Sequence, residues 1–371
     1  MAAEHRTVIR IPLLLAFAGT TLLWVAIYIA GVSNPLSIEY IPEMPLASTT
    51  PPIPVLDILA YNKKMVELAG YGTTTAQTGI IATSSAWLAT TTSISSPKHR
   101  WPVATVYPAG GAILPFSRIV AYYGNFESTA MGILGQYPAD EMIGRLEDVA
   151  DEWRAADPAT PVIPALDYIA VVAQGGAGAD GKYRLRMPDS EIEKALDLAK
   201  EIHGLVFLDV QPGLSDLPSE VPLLEKYLAL PDVELAIDPE FSMKTGARPD
   251  TVIGTMSADD VNFAAGYLAT IVRKYDLPPK ILVVHRFTKN MLTGYSAIQP
   301  LPEVEIVVSM DGWSTPERKI GTYNQVVLPE PVQFAGIKLF YKNDSLPPST
   351  GLLTPAQILA LKPRPIFVEY Q

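Results

Sequence analysis

The chain has 371 residues, 48% of them apolar, and its 39 acidic against 28 basic side chains leave a net charge of −11. Such a chain has enough apolar residues for a large core, and no basic patch with which to neutralise the phosphates of a nucleic acid. It contains no Cys, which excludes disulfides, thiolate metal sites and a lipid-modified cysteine anchor.

Residues 11–33 carry no charged side chain, and their core reads LLLAFAGTTLLWVAIYIAGV. As a helix this run is long enough to cross a hydrocarbon layer of roughly 30 Å. Arg6 and Arg10 precede it, and Glu39 and Glu43 follow. By the positive-inside rule residues 1–10 stay in the cytoplasm and the rest is exported, with the helix kept as a signal anchor. A cleaved signal peptide is the competing expectation. Residues 34–115 are rich in Pro, Ser and Thr and read as a stalk, with one helix at Val55–Ala69.

From Arg118 onwards, apolar runs alternate with amphipathic stretches. The runs lie at 118–125, 161–173, 204–213, 233–242, 280–287, 304–313, 336–344 and 364–371. Helices are expected at Ala139–Ala156, 190–202, near Leu223–Leu230, at Ala258–Tyr275 with Ser257 as N-cap, and more weakly at Asn290–Ala297, Pro316–Val327 and Thr354–Leu361. Eight strands alternating with helices over about 250 residues predict a (β/α)8 barrel of the TIM type for residues 116–371. A doubly wound open sheet is the alternative, but YYGNFES supplies no Gly-rich phosphate loop after the first strand. No helix follows the eighth run, so the last pairing is expected to close the barrel directly.

In such barrels chemistry sits at the C-terminal strand ends. Those ends present Tyr123, Asp167, Asp209 with Gln211, Asp238 with Glu240, His285 and Arg286, Asp311 with Trp313, Lys342 with Asp344, and Glu369 with Tyr370. In VELAIDPEFS (233–242) the two carboxylates stand two residues apart, the spacing that places strand side chains on one side. One such pair is equally an ordinary helix cap or a partner for an arginine. Five strands ending in acids are harder to dismiss, because buried like charges cost stability unless paired or used.

Carboxyls facing one pocket suit glycoside hydrolysis, which needs one acid to protonate the leaving oxygen and a second carboxylate to attack or to activate water. Glu240 is the candidate proton donor, because the neighbouring Asp238 charge raises its pKa; Asp209, Asp238 or Asp311 is the candidate second carboxylate. Tyr123, Trp313 and Tyr370 are candidate sugar-stacking rings. Asp167, Gln211, His285, Arg286, Lys342, Asp344 and Glu369 complete the candidate substrate-binding set. No cofactor or metal is expected. Of four histidines only His285 ends a strand, too few for a His-rich zinc site, and no calcium-loop motif is present. There is no G-x-S-x-G elbow, and the loop AQGGAGADGKY (173–183) lacks the Lys-Ser/Thr ending of a phosphate loop.

The motifs FLDVQPGLSD (207–216), LAIDPEF (235–241), ILVVHRF (281–287), MDG (310–312) and PIFVEYQ (365–371) resemble a family of exported bacterial proteins, often described only as hypothetical proteins or lipoproteins. More distantly the pattern resembles glycosidase barrels. Of the D-x-x-D-x-D-x-E motif of chitinase-like enzymes only the final D-x-E survives here, as Asp238-Pro239-Glu240. The large retaining clan pairs Asn-Glu on the fourth strand with a Glu on the seventh, and this chain has neither. The resemblance implies a membrane-tethered barrel acting on an envelope or surface polysaccharide. The other reading is a non-catalytic barrel that binds a glycan or another envelope component.

Overall fold

A computed structural model describes residues 53–70 and 100–371. The expected cytoplasmic residues 1–10, the anchor at 11–33 and the stalk stretches 34–52 and 71–99 lie outside the described residues. Among the described residues, no helix is long and apolar enough to cross a membrane.

Eight parallel strands form the barrel: β1 Arg118–Gly124, β2 Val162–Ala173, β3 Leu205–Val210, β4 Val233–Ile237, β5 Lys280–Arg286, β6 Val304–Met310, β7 Phe334–Leu339 and β8 Phe367–Tyr370. Each pairs with its sequence neighbour, and β8 closes on β1 with Ile119 opposite Phe367 and Tyr122 opposite Tyr370. The expected direct pairing of the last strand with the first is what the register shows. The open-sheet alternative is excluded by that pairing. Every residue in seven of the eight strands is buried, as expected of parallel strands covered on both faces.

The outer faces carry Val120, Leu166, Val206, Leu235, Leu282 and Ile306, which pack into one large cluster with the helices. These include α2 Ala139–Ala156, with Leu146, Ala150 and Trp153 inward, α3 Asp189–Glu201 and α6 Ala258–Tyr275. Ser257 caps α6 as expected, in a reciprocal capping box with Asp260. Between β3 and β4 the expected helix is broken into short turns, Leu217–Glu220 and Glu225–Leu228. In place of the helix expected at 290–297 stand two 3-10 turns, Lys289–Met291 and Tyr295–Ala297, on either side of a two-residue strand, Leu292–Thr293. The helix before β8 is only Pro355–Leu359.

The lower lumen is apolar, filled by Ile119, Ala121, Ala165, Phe207, Ala236, Val283, Val307 and Phe367. Left open, its N-terminal mouth would expose that surface to water. The helix α1, Ile58–Ala69, closes it: Tyr61, Met65 and Ala69 recur every four residues and are buried. Asp57 accepts a hydrogen bond from Ala60 N at 2.9 Å as N-cap, and Gly70, at φ 72°, ends the helix in the left-handed conformation. Leu114 joins the same cluster, and Glu305 at the foot of β6 accepts from Ile113 N at 3.0 Å and Leu114 N at 2.9 Å. The sequence reading placed α1 and residues 100–115 in a spacer. Both instead contribute to the apolar cluster that fills the lower lumen, through Tyr61 and Met65 and through Leu114. Proline and threonine content misled that expectation, because the few apolar residues in the segment are spaced to plug a barrel.

Candidate active site

Strand alternation turns Asp167 of β2, Asp209 of β3, His285 of β5, Lys338 of β7 and Glu369 of β8 into the upper lumen, where all five are buried. Lys338 and Glu369 are register partners, and their ammonium and carboxylate meet at 2.9 Å. The same ammonium lies 3.0 Å from the centroid of the Tyr123 ring. Higher up stand Tyr123, Gln211, Asp238 and Asp311. Gln211 Nε2 donates to Tyr123 Oη at 2.9 Å and to Asp238 Oδ2 at 3.3 Å.

After Asp238 the chain leaves the strand in a 3-10 turn, Pro239–Phe241, which carries Glu240. Gly254 N donates to Glu240 O at 2.6 Å, and a Cβ at Gly254 would lie 2.6 Å from that oxygen. Only a glycine allows this approach. The result is that one oxygen each from Asp238, Glu240 and Asp311 lie within 4.8 Å of one another, on two different strand ends. Asp167, His285 and Glu369 form a second such group deeper in the lumen. Either set has the composition to hold a cation.

Six carboxyls around Lys338 cannot all ionise. Burial raises Asp167 well above the usual carboxyl range, and the Glu369 charge adds to it. Burial pushes Asp209 up to about 7 although Lys338 pulls the other way. Asp238 is raised by burial and by the charges of Glu240, Asp209 and Asp311. Burial also raises Asp311 strongly, with the Glu240 charge next. Glu240 rises less, because Lys338 offsets its burial. Burial opposes ionisation of Glu369, but Lys338 outweighs it and holds this carboxyl below its usual range. His285 is lowered by burial to about 4, so its ring is neutral at pH 7. Both ring nitrogens lack a hydrogen-bond partner, as do Asp238 Oδ1, Asp311 Oδ1 and both Asp209 oxygens.

Above this layer opens a cavity of about 690 Å³ lined by Tyr123, Gln211, Glu240, Asp250, Asp311 and Lys338, with Trp313 at the rim. Its size falls in the range of ligand pockets, about 300–1,000 Å³.

Four sequence candidates are placed elsewhere. Arg286 faces the helices, donating to Val326 O at 3.1 Å and Lys289 O at 2.9 Å and pairing with Glu330. Tyr370, also on the outer face, accepts from Trp153 Nε1 at 2.9 Å. Asp344 is a structural clamp, accepting from Ser314 N and Phe340 N and pairing with Lys319 at 3.0 Å. Lys342 is exposed beyond the strand. Arg286 and Tyr370 each follow an inward residue, so alternation sends them outward. The run 336–344 is not all strand: β7 ends at Leu339, and the inward cation is Lys338, which sequence reasoning missed. Its signal was Gly336 and Lys338 two residues apart on one face.

No protein-family profile and no curated protein matches the chain. Solved structures with some similarity include a GH18 chitinase from Pseudoalteromonas aurantia, at 13% identity and TM-score 0.36, covering 69% of this chain and 94% of that one. A hyperthermophilic endo-beta-1,4-glucanase matches at 9% identity and TM-score 0.38, over 69% and 89%. A GH5-4 broad-specificity endoglucanase from an uncultured bacterium matches at 7% and 0.31, over 60% and 76%. Likenesses this low say nothing about activity; the barrel is established by its own strand pairing.

Proposed function

We propose that the protein is a glycoside hydrolase acting through Glu240 and Asp311. The supporting observation is that these carboxyls, from the ends of β4 and β6, both line the cavity with oxygens within 4.8 Å. A close approach of one oxygen from each is what supports the retaining reading, in which the carboxyls stand roughly 5–5.5 Å apart, over the inverting one at roughly 6.5–9.5 Å. In this reading the sequence-based assignment is reversed: burial and the Glu240 charge favour the proton on Asp311, and Glu240, the more exposed of the two and offset by Lys338, serves as the carboxylate.

In this reading the Glu240 carboxylate attacks the anomeric carbon while Asp311 gives its proton to the leaving oxygen, forming a glycosyl ester. A water then attacks the same carbon, Asp311 takes its proton, and Glu240 is released. Asp238, held by Gln211 beneath both, keeps a further proton in the cluster. Trp313 offers a face for a sugar ring. The sequence reading of residues 1–10, 11–33 and 34–115 as cytoplasmic end, anchor and stalk supports a location outside the cytoplasm, beside an envelope or surface polysaccharide. The motif resemblance to exported bacterial proteins agrees with that location.

The test is hydrolysis of a polysaccharide panel by the full chain, wild type against Asp311→Asn and Glu240→Gln. Each change is expected to lower turnover by about 10²–10⁴-fold. An aryl glycoside with a good leaving group should restore turnover to Asp311→Asn and not to Glu240→Gln. Restoration in the reverse order moves the acid to Glu240. No turnover on any glycan, with saturable binding, replaces the hydrolase by a glycan-binding barrel.

A further inference from the structure

The charged side chains lining the cavity are three acids, Glu240, Asp250 and Asp311, and one base, Lys338. The base is already taken, paired with Glu369 at 2.9 Å and seated on the Tyr123 ring. Beneath the lining, Asp238 and Asp209 add two more buried carboxyls. With the protons on Asp311 and Asp238 as assigned above, Glu240 and Asp250 are the charges left facing a ligand, and no free cation in the lining offsets them. A polyanionic glycan such as a uronic-acid polymer is disfavoured there by repulsion.

Two further observations point to a ligand rather than to a self-contained acidic patch. Asp238 Oδ1 and Asp311 Oδ1 have no hydrogen-bond partner, although the two residues are only 2% and 6% exposed. His285, fully buried, brings Nδ1 to 3.7 Å from Asp311 Oδ2, and neither of its nitrogens is bonded. Buried polar atoms are rarely left without a partner, and an ordered water or a bound group is what supplies one. At the rim Trp313, 58% exposed, offers a flat apolar face beside Asp311. A bare metal ion would satisfy the carboxyls, but it needs neither a 690 Å³ cavity nor an aromatic rim.

Resting on the hydrolase reading, we propose that the cavity selects amino sugars with a free, protonated amine, a glucosamine- or galactosamine-type glycan rather than its N-acetylated form. The ammonium pairs with the Glu240 and Asp250 carboxylates, which line the cavity above the buried Asp311 and Asp238 carboxyls, and the pyranose lies against Trp313. Acetylation removes the charge and replaces a compact donor with a bulkier neutral amide, so the same acids are left without a cation.

The experiment is calorimetric titration of the full-length Asp311→Asn protein, which by the assignment above loses the proton donor without changing the charge. The probes are defined oligomers of β-1,4-linked and β-1,6-linked glucosamine and α-1,4-linked galactosamine, each de-N-acetylated and fully N-acetylated. The amine forms are expected to bind at least about ten-fold more tightly, with the preference shrinking as salt rises. Asp250→Asn, at the exposed rim and outside the catalytic pair, should narrow the preference several-fold and leave binding of the acetylated oligomers unchanged. Equal binding, tighter binding of the acetylated forms, or no binding of either overturns the proposal. So does calcium or magnesium binding that displaces the amine oligomers, which would make the cluster a cation site. The two readings fail separately. Amine preference without hydrolysis by the wild type removes the enzyme and keeps this selectivity. Hydrolysis of neutral glycans without amine preference does the opposite.

Discussion

Lys338 decides the protonation pattern of the lumen more than any other single side chain. It holds Glu369 ionised, tempers Asp209 and Glu240, and is itself raised by Glu369, Asp311 and Asp238 against the cost of its burial. Removing one partner of a buried pair costs about 3–5 kcal/mol, because the other charge is stranded. Lys338→Met is therefore expected to lose about that much in urea unfolding. The double change Lys338→Met, Glu369→Gln should recover most of it, and a Lys338→Met protein as stable as wild type would refute the role. Gly254 is the second residue-scale prediction. Gly254→Ala must push the Glu240 turn away, since its Cβ would meet Glu240 O at 2.6 Å. A displacement near 1 Å costs about 10²-fold in rate, so turnover on the identified substrate should drop by that order while the fold persists. Unchanged turnover would mean that Glu240 does not depend on the turn. Neither residue stands out in the sequence. Lys338 is hidden by the misjudged end of β7, and Gly254 lies fourteen positions from the residue it positions.

At the scale of the element, α1 was legible as a helix from Tyr61, Met65 and Ala69, and its task was not. An amphipathic helix predicts that something covers its apolar stripe, and only the closed barrel supplies the surface. Met65→Ala is expected to cost about 2–5 kcal/mol, as for other buried truncations, measured as a lower unfolding midpoint. A change below about 0.5 kcal/mol would return α1 to the status of a spacer. The eight strands and the longer helices were legible for the reason that periodicity is local. The short turns between β3 and β4 were not, because proline and short-range packing set them.

For the whole molecule, the buried acids make stability depend on pH with a definite sign. Asp209 titrates at about 7 folded against 3.8 for the unperturbed group. Between those values the folded state binds more protons than the unfolded one, so its contribution to stability falls as pH rises from about 4 to 7. The neutral His285, at about 4 against 6.5, acts oppositely over that interval and contributes no slope above it. Asp167, Asp238, Asp311 and Glu305 share the sign of Asp209. The melting temperature is expected to decline from pH 5 to pH 8. Asp209→Asn should raise it at pH 8 by the equivalent of a few kcal/mol, and by less at pH 5. A variant less stable than wild type at pH 8 would mean that an ionised Asp209 is held by contacts stronger than its burial.

The sequence by itself determined the barrel, its eight strands, its direct closure, and the enrichment of acids at one set of strand ends. Each of these follows from alternation and spacing along a single stretch of chain. Only the tertiary structure decided which of those acids meet. Asp238, Glu240 and Asp311 converge because two strand ends and a glycine-permitted turn are brought together by closure. Arg286, Tyr370, Lys342 and Asp344 drop out because a shift of one residue, or an earlier strand end, sends a side chain to the helices or to solvent. The balance of protons was likewise settled in three dimensions, since it depends on how close one lysine on β7 comes to carboxyls drawn from the other strands.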